Sequence, residues 1–141
     1  EPIPLEGRSG MTQRFIIDGR LPGQNEIYKA LNSHRHSGSR QKKQWTQSIA
    51  WMAIGAHLKP VTGKCRVRFL WFEPNKRRDY DNIRAGAKFI LDGLVEAKVL
   101  EDDGWRVITG LEDQFYTDKD RPRIEVEIIE EANADRPERG N

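Results

Sequence analysis

At 141 residues the chain is sized for one domain that buries about two-thirds of its surface on folding, and its single cysteine excludes an intrachain disulfide. Apolar residues make up 36% and charged residues 33%, a polar balance that suits a subunit completing its core by self-association, while no apolar run reaches the ~18 residues of a membrane span. The net charge of +2 hides an asymmetry: residues 27–72 contain nine Lys and Arg and no Asp or Glu, whereas residues 96–141 contain fourteen acids and seven bases. A basic half is the electrostatic footprint of a phosphate-backbone partner, and equally that of a solvated surface.

Residues 1–10 read as an expression remnant before a native start at Met11, residues 11–131 as the domain, and residues 132–141 as a loose tail. A first strand is expected over residues 13–19, where Phe15-Ile16-Ile17 is closed by Asp18-Gly19. Leu21-Pro22-Gly23-Gln24-Asn25 is a turn, followed by a short helical turn through residues 28–31. Asn25 and Glu26 either help position a metal or phosphate, or Asn25 acts as a cap. Residues 32–39 read as a polar loop in which His34 and His36 are solvated, since no further Cys or His stands at zinc-ligand spacing.

Residues 40–59 predict a long helix whose core face is Trp45, Ile49, Met52, Ala53 and Ala56. Arg40, Lys42 and Lys43 crowd its first turn, where cations oppose the helix dipole unless phosphate faces them. Pro60 stops the helix. Residues 64–72 alternate Cys65, Val67, Phe69 and Trp71 with Lys64, Arg66, Arg68 and Leu70, a strand with one buried face on which Cys65 is a packed thiol rather than a nucleophile.

That strand leads into Lys76-Arg77-Arg78-Asp79-Tyr80-Asp81-Asn82-Ile83-Arg84. Ile83, Ala87, Ile90, Leu91 and Leu94 form one apolar stripe of a helix capped by Asp81 or Asn82. Asp79 and Asp81, two residues apart in an extended lead-in, point the same way, and on a continuous wheel Asp81, Lys88 and Asp92 lie together. Two such carboxylates, with a third from Asp102-Asp103, suit Mg²⁺ beside a phosphate, and Lys88 suits the charge that builds on it. The plainer reading has Asp81 capping, Lys88 pairing with Asp92, and Asp102-Asp103 making a turn. Strands are then expected over residues 105–111 and 123–129, with a turn over 118–122. The result is a single α+β domain, a mixed β-sheet of four strands packed by two main helices in the order β-α-β-α-β-β, with no glycine-rich phosphate loop.

The run Arg77-Arg78-Asp79-Tyr80-Asp81-Asn82, then Lys88 with Leu91-Asp92-Gly93-Leu94, then Val99-Leu100-Glu101-Asp102-Asp103, resembles the RusA family of Holliday-junction resolvases, phage and prophage endodeoxyribonucleases. The Leu21–Asn25 turn resembles that family's Pro-x-x-Asn turn. The resemblance implies metal carboxylates at Asp79, Asp81 and Asp103 and a catalytic Lys88. It implies Mg²⁺, with Mn²⁺ substituting, no small-molecule cofactor, and a homodimer making paired nicks in a four-way DNA junction in the cytoplasm of a bacterial or phage-infected cell. Backbone contacts are expected from Lys29, Arg35, Arg40, Lys42, Lys43, Lys76, Arg77, Arg78 and Arg84. Two departures stand out: the spacing from Asp81 to Lys88 is longer than the family's, and residues 31–39 look inserted. The alternatives are a non-catalytic DNA-binding module and a metal-dependent nuclease for flaps or duplex without junction preference.

Overall fold

Strict alternation over Cys65–Glu73 buries Cys65, Val67, Phe69, Trp71 and Glu73 on one face, and this strand becomes the centre of the molecule. The computed structural model describes residues 11–33 and 35–131, leaving out the side chains of residues 31–33 and 35–38. The expected remnant over 1–10, the tail over 132–141, His34, and the side chains of Arg35 and His36 therefore lie outside the described residues. Within them the order is β1 (Thr12–Asp18), α1 (Gln24–Ser33), α2 (Arg35–Gly55), β2 (Cys65–Glu73), α3 (Tyr80–Arg84), α4 (Ala87–Glu96), β3 (Ile108–Thr117) and β4 (Arg123–Glu130). The strands form one mixed sheet in the order β1-β4-β2-β3, with β2 and β3 parallel and the other pairs antiparallel. This is the expected α+β class.

One face of the sheet, carrying Phe15, Ile17, Val67, Phe69, Trp71, Ile124, Val126 and Ile128, joins Ile49 and Ala53 of α2 and the Ile83-Ala87-Ile90-Leu91-Leu94 stripe in one apolar core. Cys65 is fully buried there, and burial, followed by the charges of Glu130 and Glu131, pushes its thiol up to about 11, so it stays protonated. Helices α2 and α4 pack closely at Gly93, where a Cβ would stand 2.7 Å from Ile49 Cγ2. On the opposite face, Arg14, Glu127, Arg68 and Glu112 lie in register across all four strands and pair in sequence with alternating charge. Such partly exposed pairs contribute up to ~1 kcal/mol each.

Besides α1, which runs Gln24–Ser33 where the sequence predicts only a short helical turn over residues 28–31, four boundaries differ from the expectation. The polar loop over 32–39 is helical on both sides of residue 34: once residues 40–55 are helical, each added residue gains a hydrogen bond, which offsets ~0.7 kcal/mol or less for each Ser, Arg and His and about 1 kcal/mol for Gly38. Helix α2 stops at Gly55, not residue 59, because His57 adopts φ 59° and Leu58 N–H donates to Ala53 O, a Schellman closure that precedes the proline. This leaves Ala56 exposed, and Met52 is also largely outside the core face expected to include it. The third strand starts at Ile108 and runs to Thr117, while Trp105 is 87% exposed in the preceding turn. As an edge strand β3 needs no apolar alternation: Glu112 and Asp113 are matched instead by Arg66, Arg68, Trp71 and Arg84.

The fourth difference is a break in the site helix at Ala85-Gly86, where Gly86 N–H turns back to Ile83 O. A Cβ at Gly86 would meet Leu21 Cβ at 3.0 Å, so the chain passes close to the β1–α1 turn there. Helix α4 ends in the same way as α2, with Lys98 at φ 63° and Val99 N–H donating to Leu94 O. Because a left-handed non-glycine residue is strained, Lys98→Gly should raise stability by about 1 kcal/mol, read as a higher denaturant midpoint at unchanged slope.

Candidate active site

Strand β2 delivers a carboxylate, Glu73, that is 5% exposed at its end, and the surrounding loops are organised around it. Arg78 grips both of its oxygens, through Nη2 at 2.8 Å and Nε at 3.2 Å, and Arg20 Nη2 adds a third contact at 2.8 Å. Burial alone would raise the Glu73 carboxyl, but the hydrogen bonds from Arg78 and Arg20 outweigh it and hold the group below its ordinary value. Arg78 Nη1 also reaches Leu21 O and Glu26 Oε1. One guanidinium thus ties β2, the turn after β1 and the start of α1 to the loop that carries the acidic motif.

Helix α1 begins at Gln24 with Gly23 before it, and Glu26 Oε1 returns to Gly23 N–H at 3.0 Å, half of a capping box. Glycine offers no side-chain cap, and a Cβ there would stand 2.5 Å from Asn82 Oδ1. Asn82 supplies the missing acceptor from α3, taking the Asn25 N–H at 3.1 Å. The two motifs are therefore one structure: the Asn of the acidic block caps the helix begun by the Pro-Gly turn. Asn25 contributes its backbone to this contact. Helix α3 is further held against β3 by Arg84 to Asp113, 2.9 Å, and by the Tyr80 ring stacked on Phe115 at 4.5 Å.

This frame presents Asp79 and Asp81 to a cleft of about 910 Å³, lined also by Asn75, Lys76, Tyr80, Phe115 and Tyr116. Both carboxylates are exposed; Asp79 makes no side-chain cap bond, and Asp81 accepts only the Asn82 N–H. No Lys or Arg among the described residues pairs with either. Mg²⁺ typically takes one or two carboxylates plus waters and substrate phosphate, so this pair fits that ion.

Lys88 and Asp103 lie elsewhere. Lys88 Nζ is 3.1 Å from Asp103 and 3.1 Å from Asp92, and those two hydrogen bonds, Asp103's the larger, raise its pKa. The three residues line a second cleft with Lys42, Lys43, Thr46 and Asp102. Asp102 closes its turn through Gly104 N–H. The described residues contain no group of three His, Cys, Asp or Glu side chains arranged to hold a metal ion, so the expected Asp79–Asp81–Asp103 set is not assembled in this arrangement. The helix expected to run unbroken from Asp81 to Lys88 is interrupted at Ala85-Gly86, and the two residues line different clefts.

The family model described as endodeoxyribonuclease RusA matches residues 20–129, which span the Pro-Gly turn, the acidic block and Asp102-Asp103. The chain belongs to the RusA endodeoxyribonuclease family. A comparison with curated proteins returned no match. For a RusA-family nuclease the disposition of cations matters as much as that of acids. Lys29, Arg40, Lys42, Lys43, Lys76 and Arg77 are exposed and face solvent. Arg78, with its side chain 13% exposed, and Arg84, paired to Asp113, are instead committed to holding the site together. Sequence reasoning missed Glu73, Arg20 and the fact that Asn82 caps α1; its own helix, expected to be capped by Asp81 or Asn82, has Asp79 at the N-cap position. Only the buried glutamate at the end of an otherwise apolar alternation carried a signal. No helix among the described residues is long and apolar enough to cross a membrane.

Proposed function

We propose that this RusA-family endodeoxyribonuclease cleaves four-way DNA junctions in a Mg²⁺-dependent reaction, Mn²⁺ substituting, as a homodimer that nicks two opposed strands. The observation that supports this most is the unpaired Asp79–Asp81 pair, held at a cleft by a network that leaves both carboxylates open. Those two residues would hold the ion with the substrate phosphate as a further ligand. Bound there, the metal supplies Lewis acidity at the scissile phosphate and a water of lowered pKa. Asp79 and Asp81 also fix where the phosphate comes to rest, since α3 and its anchors cannot shift without breaking Asn82, Arg84 and Tyr80 contacts. Lys88 carries its positive charge between Asp92 and Asp103 in the second cleft, with Lys42 and Lys43, and would meet the DNA backbone there. Two-fold symmetry of the dimer matches that of the junction, which is why paired nicks follow.

A four-way junction and a linear duplex of the same sequence, compared under single-turnover conditions with Mg²⁺, test the reading. Junction cleavage should be much the faster, and equal rates would assign a flap or duplex nuclease instead. The exposed Lys76 and Arg77 would bind backbone without reading sequence. Replacing both with Gln should flatten the slope of log K against log salt by about 0.9 for each phosphate that is no longer neutralised, measured by fluorescence anisotropy across a salt series.

A further inference from the structure

The wall of the cleft beside the two carboxylates is aromatic. Phe69 and Trp71 of β2 stack at 5.5 Å, Trp71 meets Phe115 of β3 at 6.5 Å, and Phe115 meets Tyr80 at 4.5 Å, with ring planes within 28° of parallel throughout. This column begins at two fully buried rings and ends at Tyr80, which is 69% exposed. Among the described residues Tyr80 stacks on Phe115 alone, so its other face is open. A lone exposed tyrosine is ordinary. Here the ring is braced from the core, sits between Asp79 and Asp81 in the chain, and shares the cleft with Lys76, Asn75 and Tyr116.

We propose that this cleft receives one unpaired nucleobase of the substrate strand, stacked on the open face of Tyr80 beside the scissile phosphate. The inference rests on the nuclease reading of the same site and adds the group that the site recognises. Every base has a π-face, so a rigid aromatic platform binds bases without regard to sequence, yet a base stacked inside a duplex is not offered to it. A base at a branch point leaves its stack at lower cost, so the platform favours branched over linear DNA without any base-specific donor or acceptor. Lys76 in the same cleft suits the phosphate flanking the stacked base.

The test places 2-aminopurine, whose emission is quenched by stacking, unpaired at the branch point of a junction or paired within a linear duplex, and titrates the full chain without divalent cation. The native chain and Tyr80→Phe should change the emission of the unpaired probe alone, and 2-aminopurine riboside free in solution should give no such change. Tyr80→Leu keeps the bulk of the side chain and removes the π-face. It should lose the emission change, bind a short single strand about tenfold more weakly, and lose part of its preference for junction over duplex. Unchanged emission and affinity in Tyr80→Leu would overturn the inference. If the native chain shows the emission change but cleaves no DNA with Mg²⁺, the nuclease reading fails and the base subsite stands. Normal cleavage with no emission change sinks the subsite alone.

Discussion

Asp81→Asn is expected to reduce strand cleavage by about a thousandfold while DNA affinity holds or rises slightly. The magnitude follows from the several kcal/mol of transition-state stabilisation that a bound divalent ion supplies to a phosphoryl centre, each 1.36 kcal/mol being tenfold in rate. The substitution is close to isosteric, and Asp81 has few structural duties: its side chain accepts one hydrogen bond, from the adjacent Asn82 N–H, which an amide oxygen can also accept. Loss of activity would therefore reflect loss of charge at the cleft, not collapse of α3. The binding arm makes the experiment decisive. Anisotropy on an intact junction should show undiminished affinity, because removing a carboxylate from a surface that approaches phosphate removes repulsion. Cleavage within tenfold of the native rate would dismiss Asp81 as a metal ligand.

Glu73→Gln is expected to lower global stability by about 3 kcal/mol at neutral pH, since breaking a buried ion pair leaves charge without compensation. Here two guanidiniums, Arg78 and Arg20, would be left facing a neutral amide that offers one acceptor oxygen where three contacts exist. The variant should also respond differently to acid. The Glu73 carboxyl titrates below its ordinary 4.5 in the folded chain. A depressed carboxylate contributes stability that is complete above its unfolded pKa and is lost as pH falls through the folded value. Native protein should thus lose stability on acidification below the ordinary carboxylate range, and Glu73→Gln should lose less over the same interval. Glu112, held low by Arg68 and Arg66 against its own desolvation, contributes in that window in both proteins, so the difference between the two curves is the quantity to compare. Urea melts at neutral and acid pH provide it. Parallel curves would show that Glu73 is not the buried anion that organises the loop. Because Arg78 also fixes the turn before α1, cleavage should fall together with stability.

Much of this arrangement could be read from local periodicity. The alternation along β2, the apolar stripe from Ile83 to Leu94, and the alternate residues Ile124, Val126 and Ile128 depend only on neighbours a few positions away, and each is buried as expected. The pairing of Asp79 with Asp81 on one cleft is equally local, and so is the Lys88–Asp92 contact at i,i+4.

What the tertiary structure decided depends on groups far apart in the chain. Arg20 reaches Glu73, and Asn82 caps α1 by accepting from Asn25 N–H, 57 residues earlier; no window of sequence contains either pair. Gly86 breaks the site helix where it passes Leu21, so Asp81 and Lys88 stand on two helices and line different clefts instead of sharing a single wheel. Arg78 and Arg84 look in sequence like any basic residues near a nuclease motif, and they became structural because buried or half-buried carboxylates on β2 and β3 lie within reach. Periodicity shows which face of an element is apolar, but a charged side chain takes its role from whichever opposite charge folding brings to it, and that is set by chain topology.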